Sequence, residues 1–223
     1  MDVGFFLKDR IVFIKQFFAA ASFPFTEKKR MIEAEEEPFV PTYSEDGEPP
    51  FLNEWIEADE SFQVLGYSCI SMLSAALHLY LRTWEAELGV PVGDSLKTDF
   101  KQGWFNGYNT YFANNFGVDF EKSPADLTML EEIVLVRNRI QHSVDLFTPR
   151  TTYLPTDIKK LPHVFFANDA EVGLLSDVKE SERSWLFPPS VHITEEKFML
   201  ATIEVEKFSI WLDDEILKCV YSR

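Results

Sequence analysis

A chain of 223 residues with 46% hydrophobic side chains, including 21 phenylalanines, carries enough apolar mass to close a sizeable core. That excludes global disorder and suits one large domain. The formal net charge of −16 excludes a general nucleic-acid coating protein, which needs a basic surface. It leaves open an enzyme that meets one or two phosphates through a local cluster, a basic partner, or simply a solvated surface.

The first expected element is an amphipathic core helix over about residues 2–22. Phe5, Phe6, Ile11, Phe13, Ile14, Phe17 and Phe18 leave a wide apolar stripe, and Asp2, Lys8, Asp9, Arg10 and Lys15 interrupt it too often for a signal peptide. No segment reads as the ~18 uncharged apolar residues that cross a bilayer, so no membrane is expected. Pro24 and the charged run EKKRMIEAEEE follow the helix. PFVPTYSEDGEPP then reads as a loop or linker.

A second helix of about 35 residues starts with Asn53 as its N-cap, bends near Gly66, and stops at Gly89 and Pro91. Its His78 lies in an apolar stretch and reads as a hydrogen-bonded core residue. A third helix covers about 96–115, with Phe100, Trp104, Tyr108, Tyr111 and Phe112 near helical spacing and Gly117 at its end. Its aromatics supply either core packing or base stacking, and Asn106, Asn109, Asn114 and Asn115 suggest a polar face near a site.

Ser123-Pro124-Ala125-Asp126 combines an N-cap serine, a proline at the first helical position and an acid near the start. It opens a fourth helix that Pro149 closes. Residues 150–193 change character: β-prone stretches punctuated by prolines form a long irregular excursion with at most short strands. His163 and His192 fall there and read as exposed. Thr194 caps a last helix, about 195–221, packing through Phe198, Ile203, Phe208, Ile210 and Trp211. The sum is an all-α fold: one domain over 1–223, a mostly up-and-down bundle of about five helices with the insertion before the last.

The fourth helix is the most informative stretch. With Ile133 at zero and ~100° per residue, Met129, Val136, Ile140 and Val144 share one apolar stripe, which Leu127 and Val134 widen. Asn138 and His142 sit one turn apart, with Leu135 beside His142. The turn 133–136 is apolar nearly all round, so the helix should be covered on more than one side and His142 should lie in a seam against another helix or subunit. Arg137 falls inside the apolar arc, where it needs a partner, a bend or an anion.

Arg137-Asn138-Arg139-Ile140-Gln141-His142 resembles the motif of the HEPN domain family, an arginine followed by a polar residue and closed by a histidine late in a bundle helix. The match covers about six residues of a helix of some twenty, within a generally similar all-helical context. The resemblance implies metal-independent endoribonuclease activity without cofactor, often in toxins or phage defence, with two motifs meeting across a homodimer and an antitoxin or other protein as a possible partner. It makes Arg137, Asn138 and His142 the catalytic candidates.

The chemistry suits these residues. Metal-independent RNA cleavage needs a base for the 2′-hydroxyl, an acid for the 5′-oxygen and cationic donors for the phosphorane. Histidine fills either proton role near neutral pH. The Arg137 fork matches phosphate oxygens, and Asn138 can hold the imidazole or a phosphate oxygen. Arg139, on another face, is either a second phosphate (substrate-binding) contact or the salt-bridge partner of a neighbouring acid. The structural alternative pairs Arg137 with Glu131 or Glu132 and makes His142 a packing residue.

Other signals are bland. Cys69 and Cys219 have no disulfide or metal spacing and read as buried thiols of a reducing, cytoplasmic setting. Metal-binding, P-loop, dinucleotide and serine-hydrolase motifs are absent. Glu131-Glu132 and Asp213-Asp214 read as solvated surface. The competing functional class is a non-catalytic helical interaction module, which the acidity and the long excursion favour.

Overall fold

The computed structural model describes residues 2–42, 47–142, 150–158, 160–161, 163–177 and 189–221. It is all-α. The long helices are α1 (Val3–Glu33), α2 (Leu52–Leu88), α5 (Leu127–Gln141) and α8 (Glu195–Tyr221). Shorter ones are α3 (Lys97–Gln102), α4 (Trp104–Phe116), α6 (Pro155–Ile158) and α7 (Asp169–Asp177).

Helix α1 buries Val3, Leu7, Ile11, Ile14 and Phe18, a narrow heptad-like seam. The wide stripe expected from its phenylalanines is not buried: Phe5, Phe6, Phe13, Phe17 and Phe23 are exposed. The helix also runs on through Pro24 to Glu33, well past the expected end near 22. The charged run is what holds this extension. Lys28 and Lys29 pair with Glu57 and Asp59 of α2, and Glu33 accepts from the Trp55 indole. Those contacts at one end, and Phe6 and Leu7 beside Leu79 and Tyr80 at the other, make α1 and α2 antiparallel.

Helix α2 is the central element. Its run lacking charge includes one 18-residue window apolar enough to cross a membrane by length and composition, against the expectation of none; 56% of that window is buried inside the fold. Gly89 ends the helix in the left-handed region, φ 66°, with its N–H on the carbonyls of Glu85 and Ala86. Gly66 serves close packing: a Cβ there would lie 2.7 Å from the Ile193 side chain.

The expected third helix is two. Gly103, at φ 151°, breaks the chain between α3 and α4, and the Phe100 ring then packs onto Gly107, where a Cβ would meet it at 2.5 Å. The aromatics of α4 are mainly core, with Phe105, Tyr108, Tyr111 and Phe112 buried. Asn109 is used internally, accepting from the Phe120 N–H.

Helix α5 starts later than Ser123: Asp126 is the N-cap, accepting from the Met129 N–H, while Ser123 only closes a turn onto Ala125. It ends at Gln141. The expected continuation through Val144 to Pro149 lies outside the described residues.

The 150–193 excursion carries α6, α7 and two isolated antiparallel bridges, Thr152 to Ser190 and Ala167 to Val191, with no strand among the described residues. It is part of the core. Tyr153, Phe166, Ala167, Val191 and Ile193 are buried, and α2 grips the segment through Gln63 to the Ile193 backbone and Tyr67 to the Val191 carbonyl. Helix α8 then runs parallel to α2, with Tyr80 and Trp84 donating to Asp213. Asp213 is therefore a half-buried acceptor, not the solvated group its sequence neighbourhood suggested. Cys69 and Cys219 are unpaired thiols, Cys69 buried and Cys219 half-buried.

Candidate functional site

Helix α5 is pinned on one side by a buried carboxylate. Glu132 is fully buried, contrary to the reading of Glu131-Glu132 as surface. Its oxygens accept from the Tyr153 hydroxyl at 2.6 Å and from the Phe165 and Phe166 N–H groups at 2.8 Å. Burial pushes its pKa up, while these three donors pull it back. Burial, and then the neighbouring Glu132 carboxylate, push the Tyr153 phenol far up, so Tyr153 is the donor.

Arg139 is tied down as well. Its guanidinium forks onto Asp157 of α6, Nε to Oδ2 at 2.7 Å and Nη2 to Oδ1 at 2.8 Å. Asp157 is buried and also accepts from the Leu154 N–H. Of the two roles open to Arg139 in the sequence, the structure shows the salt bridge. The arginine still lines a polar cleft of about 680 Å³ with Lys101, Asn106, Asn138 and Lys160.

Arg137 differs. It is half-buried, and its one hydrogen bond among the described residues runs from Nη1 to Asn138 Oδ1 at 3.0 Å. No carboxylate among the described residues lies within ion-pairing distance of it. Glu132, one of the acids expected to neutralise it, is spent on Tyr153 and the excursion backbone; Glu131 is exposed and makes no ion pair with Arg137. The side chain instead lines a recess of about 270 Å³ between α2, α4 and α5, with Ser74, His78, Arg82 and Trp104.

His142 is the residue just past the last turn of α5. Its N–H bonds the Asn138 carbonyl at 3.0 Å, which keeps it one turn from Asn138. The His142 residue is exposed rather than held in a seam. The structure thus joins Arg137 to Asn138 directly and His142 to Asn138 through the helix. It puts Arg139 on the other flank.

Sequence reasoning missed Arg82 and misjudged His78. His78 is half-buried, stacks on Trp104 at 4.6 Å between ring centroids, and makes no hydrogen bond among the described residues. Burial, then the Arg82 and Arg137 charges, hold its pKa below the usual value, with Glu85 opposing. The signal was faint in sequence: His78 and Arg82 are one turn apart on α2, but nothing in the chain announces that α5 delivers Arg137 to the same place. His192, expected exposed, is half-buried beside the Lys29–Asp59 pair. Among the described residues no group of three or more His, Cys, Asp or Glu is placed to hold a metal.

Comparison with known protein families, curated proteins and solved structures finds no match to this chain.

Proposed function

We propose that this protein is a metal-independent endoribonuclease of the HEPN type, a cytoplasmic homodimer acting as a toxin or phage-defence effector on RNA. The observation that carries the reading is the state of Arg137. With no carboxylate beside it among the described residues, its guanidinium fork is open to an anion, and a phosphate would complete it. It lies beside Asn138, which is one turn from an exposed histidine.

In this reading Arg137 holds a non-bridging phosphate oxygen and stabilises the phosphorane. One His142 takes the 2′-hydroxyl proton as the 2′-oxygen bonds to phosphorus. The bond to the 5′-oxygen breaks, and His142 of the second copy protonates the leaving oxygen. The products are a 2′,3′-cyclic phosphate and a 5′-hydroxyl. Asn138 orients the Arg137 fork through its amide oxygen.

The dimer is supported by an exposed apolar face next to the site. Phe6 and Leu79 are exposed and line one recess, and Leu79 also lines the recess that holds Arg137. Exposed apolar patches of this kind mark association surfaces. The same face and the acidic charge favour a second reading, a non-catalytic module that docks a protein partner or antitoxin.

Purified protein incubated with labelled tRNA and mRNA in excess EDTA, wild type beside His142→Ala, separates the two. Cleavage by wild type alone, with 2′,3′-cyclic ends, supports the nuclease. Intact RNA with both folded proteins favours the docking module.

A further inference from the structure

Among the described residues three hollows are lined by two or more Lys or Arg side chains, and two of these also hold carboxylates in their walls. Beside His192, Lys29 is matched by the buried Asp59 at 2.7 Å. In the large cleft, Arg139 is matched by Asp157. The recess between α2, α4 and α5 is different. Arg82 and Arg137 come from distant parts of a chain with net charge −16, yet both line this one hollow without an ion-pair partner among the described residues. The nearest acid on α2, Glu85, is engaged by the Tyr108 hydroxyl at 2.8 Å.

Two like charges held together without a counter-ion repel, and their field acts on what lies between them. His78 reports that field: with burial, the two guanidiniums hold its imidazole toward the neutral form. An anion would relieve the repulsion. The hollow is about 270 Å³, room for one nucleotide unit, and the His78–Trp104 stack supplies an aromatic wall.

We propose that this recess is a substrate subsite that takes a phosphate of single-stranded RNA between Arg82 and Arg137, with the adjoining nucleoside packed on the His78–Trp104 wall. The proposal rests on the nuclease reading for its ligand class, but it adds residues on α2 and α4 that the α5 motif does not contain. Arg82 is a binding residue here, and Trp104 a packing surface.

The test uses a short fluorescein-labelled single-stranded deoxyoligonucleotide, which lacks the attacking 2′-hydroxyl and so reports binding without cleavage. Its affinity is measured by fluorescence anisotropy across a salt series for wild type and Arg82→Gln, with thermal unfolding to confirm that the exposed substitution leaves the fold intact. Removing one guanidinium–phosphate contact is expected to weaken binding about tenfold. It should also lower the slope of log affinity against log salt by about 0.7, a change that a structural role for Arg82 would not produce. Wild-type binding unchanged by Arg82→Gln in both affinity and slope, or no binding by wild type, overturns the subsite. Arg82-dependent binding by a protein that leaves RNA intact would keep the subsite and sink the nuclease reading instead.

Discussion

Glu132 and Arg137 lie on one helix little more than a turn apart, and their charges meet opposite fates. Glu132 is buried and saturated by three donors that clamp the excursion onto α5. Arg137 is half-buried, with a single neutral acceptor, and faces a hollow that already holds Arg82. The difference separates charge used to build the fold from charge the fold leaves open. A satisfied buried carboxylate defends stability, whereas a cation at the surface with no carboxylate beside it adds little to the fold and is free to meet an anion.

The largest expected effect falls on the closed side. Glu132→Ala strands the Tyr153 hydroxyl and two backbone N–H groups and should cost about 3 kcal/mol or more, read by urea unfolding. A cost under about 1 kcal/mol would dissolve the contrast. Next comes Arg139→Ala, which leaves the buried Asp157 with only the Leu154 N–H among its described partners. It should cost about 2 kcal/mol, less than a fully buried pair because the arginine is partly exposed. If instead Arg139→Ala unfolds like wild type but loses RNA binding, Arg139 belongs with the open charges.

A smaller, pH-dependent effect marks the open side. Folding lowers the proton affinity of His78 from an ordinary value near 6.5, chiefly through burial and then Arg82 and Arg137. The unfolded chain therefore takes up the extra proton first. Stability from this group is complete above about pH 6.5 and declines as pH falls toward the lowered value. Thermal unfolding from about pH 7 to about pH 5 should fall less steeply in His78→Asn than in wild type. Parallel profiles would show that folding does not lower the proton affinity of this imidazole. His192, lowered mainly by burial, contributes in the same direction and is unchanged in the comparison.

The helices were legible where apolar spacing and stop signals agreed, as at Gly89 and Gly117, both left-handed caps. They were not legible where tertiary contacts decided. Pro24 looks like an end until Lys28 and Lys29 find acids on α2. Gly103 looks tolerable in a helix until Phe100 needs to fold onto Gly107. Phenylalanine count overstated burial on α1, because hydrophobicity does not say which side of a helix meets a neighbour.

At the site, the wheel flagged Arg137 as misplaced in an apolar arc, and its Nη1 turned out to meet only an amide oxygen. Glu132 and Arg139 were harder: their partners come from the excursion, whose path no local pattern encodes. Arg82 and His78 were hidden for the same reason, since only the packing of α2 against α5 brings them to Arg137.

The central claim is that Arg137 is held open for chemistry rather than for the fold. Arg137→Ala, assayed by single-turnover cleavage of labelled RNA in EDTA at a folded fraction matched by thermal unfolding, tests it most directly. The account predicts a loss of roughly a hundredfold or more in rate with stability within about 0.5 kcal/mol of wild type. Undiminished cleavage together with a marked loss of stability would contradict it and return Arg137 to the packing of the bundle.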